Sequence, residues 1–503
     1  MNRRQWLEGI AGAGMVGMLG AGTSRSPATP ARRDLIRGEN EKPGTRDWLL
    51  TRTRVDPKSR YRCPWVEGYC SRTSVRAGKP LEIMVSTNPP SPFVIDLYRL
   101  GYYGGQGGRH LARLGPFHGT IQPEATIGAE RLRECRWEPA TRLVIPGDWP
   151  SGVYLGKLTA EKEGLQSYVI FIVRDDRECD FLFQCSDSTW AAYNRWPSTW
   201  SLYDDGTTDE QEWYTGPGVS AGWDRPYGKY RQVVDAPLSQ GSGEFLLWEF
   251  PLAFWMEKEG YDVSYISNVD THTDGPGLLR TWSFLSVGHD EYWSLPMFDH
   301  VQAALAAGVH AAFFSGNAVD GVVAMLSNHA GVPDRAISRV GKFGGDRERR
   351  RAREFAGQWT QHGPDPRLLM GARTTEPANG GADWICVREK HWLFAGTGLH
   401  NGDRIPGLVG WEHHGEPADR PGLEVVARGP VSSGGRPQSV EYTAVVPPGP
   451  KDNVIFNAAT IWWSDGLAAP PGYVRPSAHG NSPKGPDPRV QRMTANVFEK
   501  FLA

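Results

Sequence analysis

Cysteine is scarce. Six in 503 residues, at positions 63, 70, 135, 179, 185 and 386 with no C-x-x-C pair, exclude a disulfide-built scaffold and argue against a thiolate zinc site. Cys63 and Cys70 flank a short Pro/Gly loop and could pair in an oxidising compartment, although their ordinary reading is packing. Net charge is also missing. Lys+Arg 55 against Asp+Glu 57 leaves −2 with pI near 6.7, so there is no positive field to hold nucleic acid or an acidic membrane. Long apolar runs are absent too: the most apolar stretch, residues 10–21, falls well short of the roughly 20 residues of a spanning helix. Gly 60 and Pro 39 make about a fifth of the chain, below the roughly 25–30% that signals disorder. What is abundant is aromatic: Trp 20, Phe 18 and Tyr 17 suit large cores and ring-lined pockets alike. The length is a prior of about three domains, fewer once a targeting segment is removed.

Asn2-Arg3-Arg4-Gln5-Trp6-Leu7 sets paired arginines before that apolar run, and small residues with proline follow to residue 31. The segment 1–31 resembles a twin-arginine export signal; left uncleaved, it would tether the chain. Such a signal implies a periplasmic or extracellular protein with no stable membrane span after cleavage. It also implies folding before export, often around a cofactor.

Residues 32–62 are polar and without periodicity, and read as a linker or surface arm. Residues 63–176 carry short alternating or β-branched runs broken by Gly/Pro turns, such as Leu81-Glu82-Ile83-Met84-Val85 and Val153-Tyr154-Leu155, and predict a β-sandwich of immunoglobulin-like outline. The stretch Gly101-Tyr102-Tyr103-Gly104-Gly105-Gln106-Gly107-Gly108 precedes no helical pattern, so it reads as a tight turn and not as a phosphate loop. From 177 to 503 strands alternate with helical patterns. Leu247, Phe250 and Phe254 lie at helical spacing before Gly260, and Ser294 caps a helix through Val301, Ala304 and Leu305. That rhythm predicts a doubly wound, mostly parallel α/β sheet, with β-rich C-terminal additions at 384–394, 425–426, 440–446 and 454–456 and a last helix at about 490–502.

In open α/β sheets ligands bind beyond the carboxyl ends of the strands. Candidate residues therefore follow Cys185 (Ser186-Asp187 through Tyr193-Asn194), Ile266 (Asn268, Asp270), Val287 (Gly288-His289-Asp290-Glu291) and Phe314 (Ser315-Gly316-Asn317). If the chain stays extended past Val287, His289 and Glu291 share a face and Asp290 points away. The ordinary alternative is that these acids only favour the dipole of the next helix.

Ala192-Tyr193-Asn194, Ser201-Leu202-Tyr203, Asp224-Arg225-Pro226-Tyr227, Gly288-His289-Asp290-Glu291-Tyr292-Trp293-Ser294, Ser315-Gly316-Asn317 and Gly410-Trp411-Glu412 occur in the order found in the N,N-dimethylformamidase large-subunit family. The chain resembles that family from about residue 65 to its end. The resemblance implies an amidohydrolase on a flavodoxin-like, class I glutamine-amidotransferase-like domain with a mononuclear ferric ion held by two tyrosines and a glutamate. Carried over by motif, Tyr193, Tyr227 and Glu291 would be the ligands, with Tyr203 and Tyr230 as alternative phenols. His289 and Asn317 would orient substrate and Glu412 would move protons. The substrate class implied is a small amide; a small subunit is not implied, and a homo-oligomer is left open. The chain departs from the family at Pro197-Ser198-Thr199-Trp200, where a Gly-rich bend is usual, and at His413-His414, where an acid is usual.

Without the resemblance, Tyr193 and Tyr227 read as packed rings, Asn317 as a turn residue and Glu412 as surface. The run at 347–354 reads as a solvated helix face with internal ion pairs. Two other functions compete. A carbohydrate-active hydrolase would pair Glu291 with Glu412 across a sugar at roughly 5–9.5 Å, and an inert exported polysaccharide-binding protein would need neither metal nor Glu291.

Overall fold

A computed structural model describes residues 30–207, 213–344, 355 and 357–503, with side chains from residue 34 onward. The paired arginines and the run at 347–354 lie outside the described residues. The chain is a mixed α/β structure with many sheets and few helices, and no described sheet closes into a barrel.

The N-terminal β unit has two sheets. One pairs Glu67–Cys70, Pro80–Ser86 and Pro139–Val144; the other runs in the order Ser74–Arg76, Gln166–Arg174, Gly152–Ala160, Phe93–Leu100, Gly108–Phe117. Gln166–Arg174 and Gly152–Ala160 are buried on both faces, in keeping with their apolar runs Tyr168 to Val173 and Val153 to Leu155. Alternate residues serve different cores: Tyr154, Leu158, Val169 and Phe171 fill the space between the two sheets, while Val153, Leu155, Tyr168 and Ile170 join Phe181, Phe183 and Phe250 of the α/β unit. The glycine-rich stretch forms a tight turn around Tyr103–Gly105. All six cysteines are buried and unpaired, Cys63 and Cys70 included.

Of the two readings of residues 32–62, a linker or a surface arm, the structure shows an arm docked on the body. Pro30–Asn40 is a helix, Ile36 and Trp48 are fully buried, and Asn40 accepts from the Tyr102 and Tyr103 amides while donating to Glu257. Two apolar anchors in a polar stretch carry no periodicity, so the pattern could not announce them.

The main sheet has the order Val263–Ser267, Cys179–Cys185, Thr281–Gly288, His310–Ser315, Ile455–Asn457, then Arg436–Val446 and Glu424–Ser433. The first five pair in parallel and follow the order 2-1-3-4-5 along the chain. The last two form an antiparallel extension. Helix Leu295–Ala306 covers one face through Phe298, Val301 and Leu305; Phe250–Glu259 and Pro488–Leu502 cover the other through Phe254 and Phe498. Ser294 caps the first of these helices, and Gly260 ends the second at φ 76°. Of the expected strand at 384–394, only Ala382–Ile385 is extended, and Trp392–Phe394 is a single tight turn. A second sheet, built from Ser220–Gly222, Ala336–Phe343, Gly321–Leu326 and Tyr292–Trp293, includes Tyr292 and Trp293 immediately after Glu291. The strand order reverses direction between Cys179–Cys185 and Thr281–Gly288, which is where the sheet rule puts a ligand.

Candidate active site and metal centre

Three strand ends deliver the site. Cys179–Cys185 passes through Ser186 into helix Asp187–Tyr193, whose last residue is Tyr193. Thr281–Gly288 leads to His289, Asp290 and Glu291. His310–Ser315 leads to Gly316 and Asn317. Gly288 turns the chain at φ 70°, and a Cβ there would sit 2.7 Å from Trp248 Cβ. At Gly316 a Cβ would meet the Glu412 carbonyl oxygen at 2.3 Å, so a side chain there would push the Glu412 segment off Asn317.

Beyond Gly288 the side chains alternate as extended backbone requires. Asp290 turns inward to accept from Gln184, Ser286 and Asn268. His289 and Glu291 face the other way, with Nε2 3.4 Å from Glu291 Oε2 and 3.0 Å from Glu412 Oε2. His289 Nδ1 lies 3.5 Å from Glu244 Oε2. Glu412 is buried, not surface; Asn317 Nδ2 and Asn379 Nδ2 donate to its two oxygens at 3.0 and 3.1 Å.

The phenol cluster is equally tight. Tyr193 donates to Glu291 Oε2 at 2.7 Å, and Tyr203 Oη lies 2.6 Å from Tyr193 Oη and 3.0 Å from Glu291 Oε2. Tyr292 donates to Tyr203 at 2.7 Å, and Arg339 donates to Tyr292 at 3.1 Å. The phenol that joins Tyr193 at Glu291 is therefore Tyr203, because Leu202 N bonds back to Ala192 O and folds the Ser201-Leu202-Tyr203 stretch against the helix end. Tyr227 stands elsewhere. Its ring meets Trp190 edge-on at 6.3 Å, and it lines a small pocket with Tyr69, Cys70 and Phe171 against the β unit. Tyr230 packs against Trp248 at 5.9 Å.

The motif that contains Tyr227 does serve the cluster, through its arginine. Fully buried Arg225 donates to the carbonyls of Asn194, Trp196 and Trp200 at 3.1, 2.8 and 2.7 Å, which pins the loop between Tyr193 and Tyr203. Asn194 completes the tie by accepting from Trp196 N and Gly228 N and donating to Pro226 O. Pro197 to Trp200 is part of this pinned loop.

The electrostatics follow from crowding acids out of water. Burial opposes protonation of His289, but Glu412, Glu244 and Glu291 outweigh it and hold the imidazole well above its ordinary pKa. Burial would raise Glu291, yet His289 and then Lys342 and Tyr193 bring it below the usual carboxylate range. Tyr193 and Tyr203 are pushed well above 10, first by burial and then by Glu291. Lys342, paired with Asp320, is lowered by burial against the pull of Glu291. His413 falls to about 3 through burial and neighbouring His414. His414 itself accepts from Ala318 N and bonds Asn457 Oδ1.

Two donor sets overlap at Glu291. His289, Glu291 and Glu412 offer ligand atoms within 4.8 Å of one another, an acidic/histidine triad of metal-binding geometry. Tyr193, Tyr203 and Glu291 offer three oxygens 2.6 to 3.0 Å apart, close enough to share one ion. Together the two phenols and the carboxylate make an all-oxygen donor set. Glu244, Arg339 and Asn379 had no signal in the sequence, since each reaches the site from a separate segment by folding alone, whereas Tyr292 stood next to Glu291 in the quoted motif with no role assigned to it. The cluster opens into a cleft of about 1220 Å³.

No described helix is long and apolar enough to cross a membrane. Residues 94–479 match the family model described as N,N-dimethylformamidase beta subunit-like, C-terminal. No curated protein matches the chain.

Proposed function

The chain belongs to the N,N-dimethylformamidase beta subunit-like family, and from that premise we propose that it is a metal-dependent amide hydrolase with a mononuclear Fe(III) held by Tyr193, Tyr203 and Glu291. The mutual contact of those three oxygens carries the reading. Two phenolates and a carboxylate balance a 3+ charge, and an all-oxygen set disfavours soft ions. When bound, the ion supplies Lewis acidity toward an amide carbonyl and toward water.

The protein's own groups do the rest. Glu412 removes a proton from the attacking water and returns it to the leaving nitrogen, so that water and amide give a carboxylic acid and an amine; such transfer is worth roughly a hundred- to ten-thousandfold. His289, favoured in its charged form and with Nε2 3.0 Å from Glu412 Oε2, compensates the charge of Glu412 and helps to position it. Asn317, donating at Glu412, sits where it can turn its amide to the carbonyl oxygen as charge develops. The N-terminal unit is read as an immunoglobulin-like sandwich, the α/β unit as glutamine-amidotransferase-like, and residues 1–31 as a twin-arginine signal that exports the folded, loaded chain.

The sugar-hydrolase alternative is disfavoured because Glu291 and Glu412 both lie against the same imidazole, which fills the gap a glycoside would occupy. The acidic/histidine triad supports a second reading, a colourless divalent ion on His289, Glu291 and Glu412. Metal analysis with visible spectroscopy separates the two. Wild type is expected to hold iron with a phenolate charge-transfer band. Tyr193→Phe, Tyr203→Phe and Glu291→Gln are expected to lose it together with on the order of a thousandfold in kcat/KM, the several kcal/mol a Lewis acid is worth. Tyr227→Phe is expected to keep both. A colourless, iron-free enzyme that still hydrolyses amides would refute the ferric site.

A further inference from the structure

The cleft is far larger than a small dialkyl amide requires. Its volume of about 1220 Å³ exceeds the roughly 300–1,000 Å³ of sites that enclose a drug-sized molecule. One wall is a series of rings leading away from the Glu291 cluster. Trp213 packs against Tyr203 at 4.7 Å and Tyr193 at 5.8 Å. Its chain neighbour Tyr214 meets Phe355 at 5.5 Å, and Phe355 meets Trp359 at 6.1 Å. All of these rings line the cleft. Trp213, Tyr214 and Phe355 are only half-buried, so each presents ring surface to whatever occupies it.

Apolar ring surface left in water at the mouth of a reaction centre is costly, and it becomes favourable when another flat apolar group covers it. Resting on the amide-hydrolase reading, we propose that the substrate is an extended aryl amide: its carbonyl lies at Glu291, Glu412 and Asn317, and its aromatic body runs outward along Trp213, Tyr214 and Phe355. The charges nearest the centre favour a neutral body, since Lys342 is paired with Asp320 and Arg339 is spent on Tyr292 and the carbonyls of Tyr214 and Gly216.

A ladder of acetamides tests this on the full-length, metal-loaded enzyme: N-methylacetamide, acetanilide and 4-acetamidobiphenyl, with N,N-dimethylformamide for comparison. Each added ring is expected to raise kcat/KM about tenfold, the order of one aromatic contact plus its buried area. Tyr214→Ala and Phe355→Ala are expected to remove the gain of the second ring, lowering kcat/KM for 4-acetamidobiphenyl about tenfold more than for N-methylacetamide. A flat or falling series, or wall variants that slow all four amides equally, would overturn the aryl-amide assignment. An iron-loaded enzyme that turns over only the small amides sinks this inference and leaves the hydrolase standing; one that hydrolyses none of the four sinks both.

Discussion

His289 and His310 carry the same side chain and are driven in opposite directions. Around His289 three carboxylates outweigh burial and favour the charged ring. His310 has no such neighbours: Nδ1 accepts from Val454 N at 2.8 Å, the ring stacks on Phe501 at 5.1 Å, and burial pushes its pKa down to about 4. The unfolded chain, with a histidine pKa near 6.5, takes up this proton first as pH falls. The contribution of His310 is therefore fully present above about 6.5 and is lost as pH drops toward 4. Urea midpoints of wild type and His310→Asn should show it: wild type should lose more between pH 7.5 and pH 4.5 than the variant does. Parallel curves would contradict the assignment.

At the scale of elements, precision at the site comes from rigid segments meeting without room to spare. The strand that ends at Ser315 and the strand Glu412–Pro417 approach so closely that only glycine fits at position 316. Gly316→Ala is expected to fold, with a lowered melting temperature, and to lose on the order of a hundredfold in kcat/KM, because displacing a reacting group by about 1 Å costs that much. Steady-state kinetics beside a thermal melt checks it; unchanged kcat/KM would mean that the Glu412 placement is not critical. Arg225 acts on the neighbouring element, holding a loop that has no regular hydrogen-bonded ladder of its own.

At the scale of the molecule, a fully buried ion pair adds to the apolar core that the β unit and the α/β unit share. Arg99, on a strand of the former, grips Glu257, on a helix of the latter, with two bonds of 2.8 and 2.9 Å and almost no exposure. Asn40 and Tyr265 donate to the same carboxylate at 2.8 and 3.0 Å, which draws the N-terminal arm into the joint. Arg99→Met should cost about 3–5 kcal/mol by leaving a buried charge unpaired, and Arg99→Met with Glu257→Met should recover part of that loss, since Asn40 and Tyr265 still lack their acceptor. Calorimetry of the two variants decides; equal destabilisation would show that the pair itself contributes little.

Periodicity and turn chemistry made many of the strands and helices legible, because both report local backbone preference and the side on which apolar residues lie. Thus Gly260 and Ser294 marked helix ends where they occur, and the alternation after Val287 separated His289 and Glu291 from Asp290. The rule that ligands sit beyond strand ends pointed to Tyr193, Glu291 and Asn317 from the sequence. Local pattern could not say which tyrosine meets Tyr193, since Tyr203 and Tyr227 are both short-motif phenols in loops, and a ring's partner is fixed by how a loop returns, not by its spacing. The docking of the arm escaped for the same reason: Ile36 and Trp48 are single anchors whose burial depends on surfaces far along the chain. The amino-acid sequence by itself determined the elements and the residue types available for chemistry, while tertiary packing alone decided which oxygens stand within 3 Å of one another, because that distance is set by contacts among segments separated by about a hundred residues.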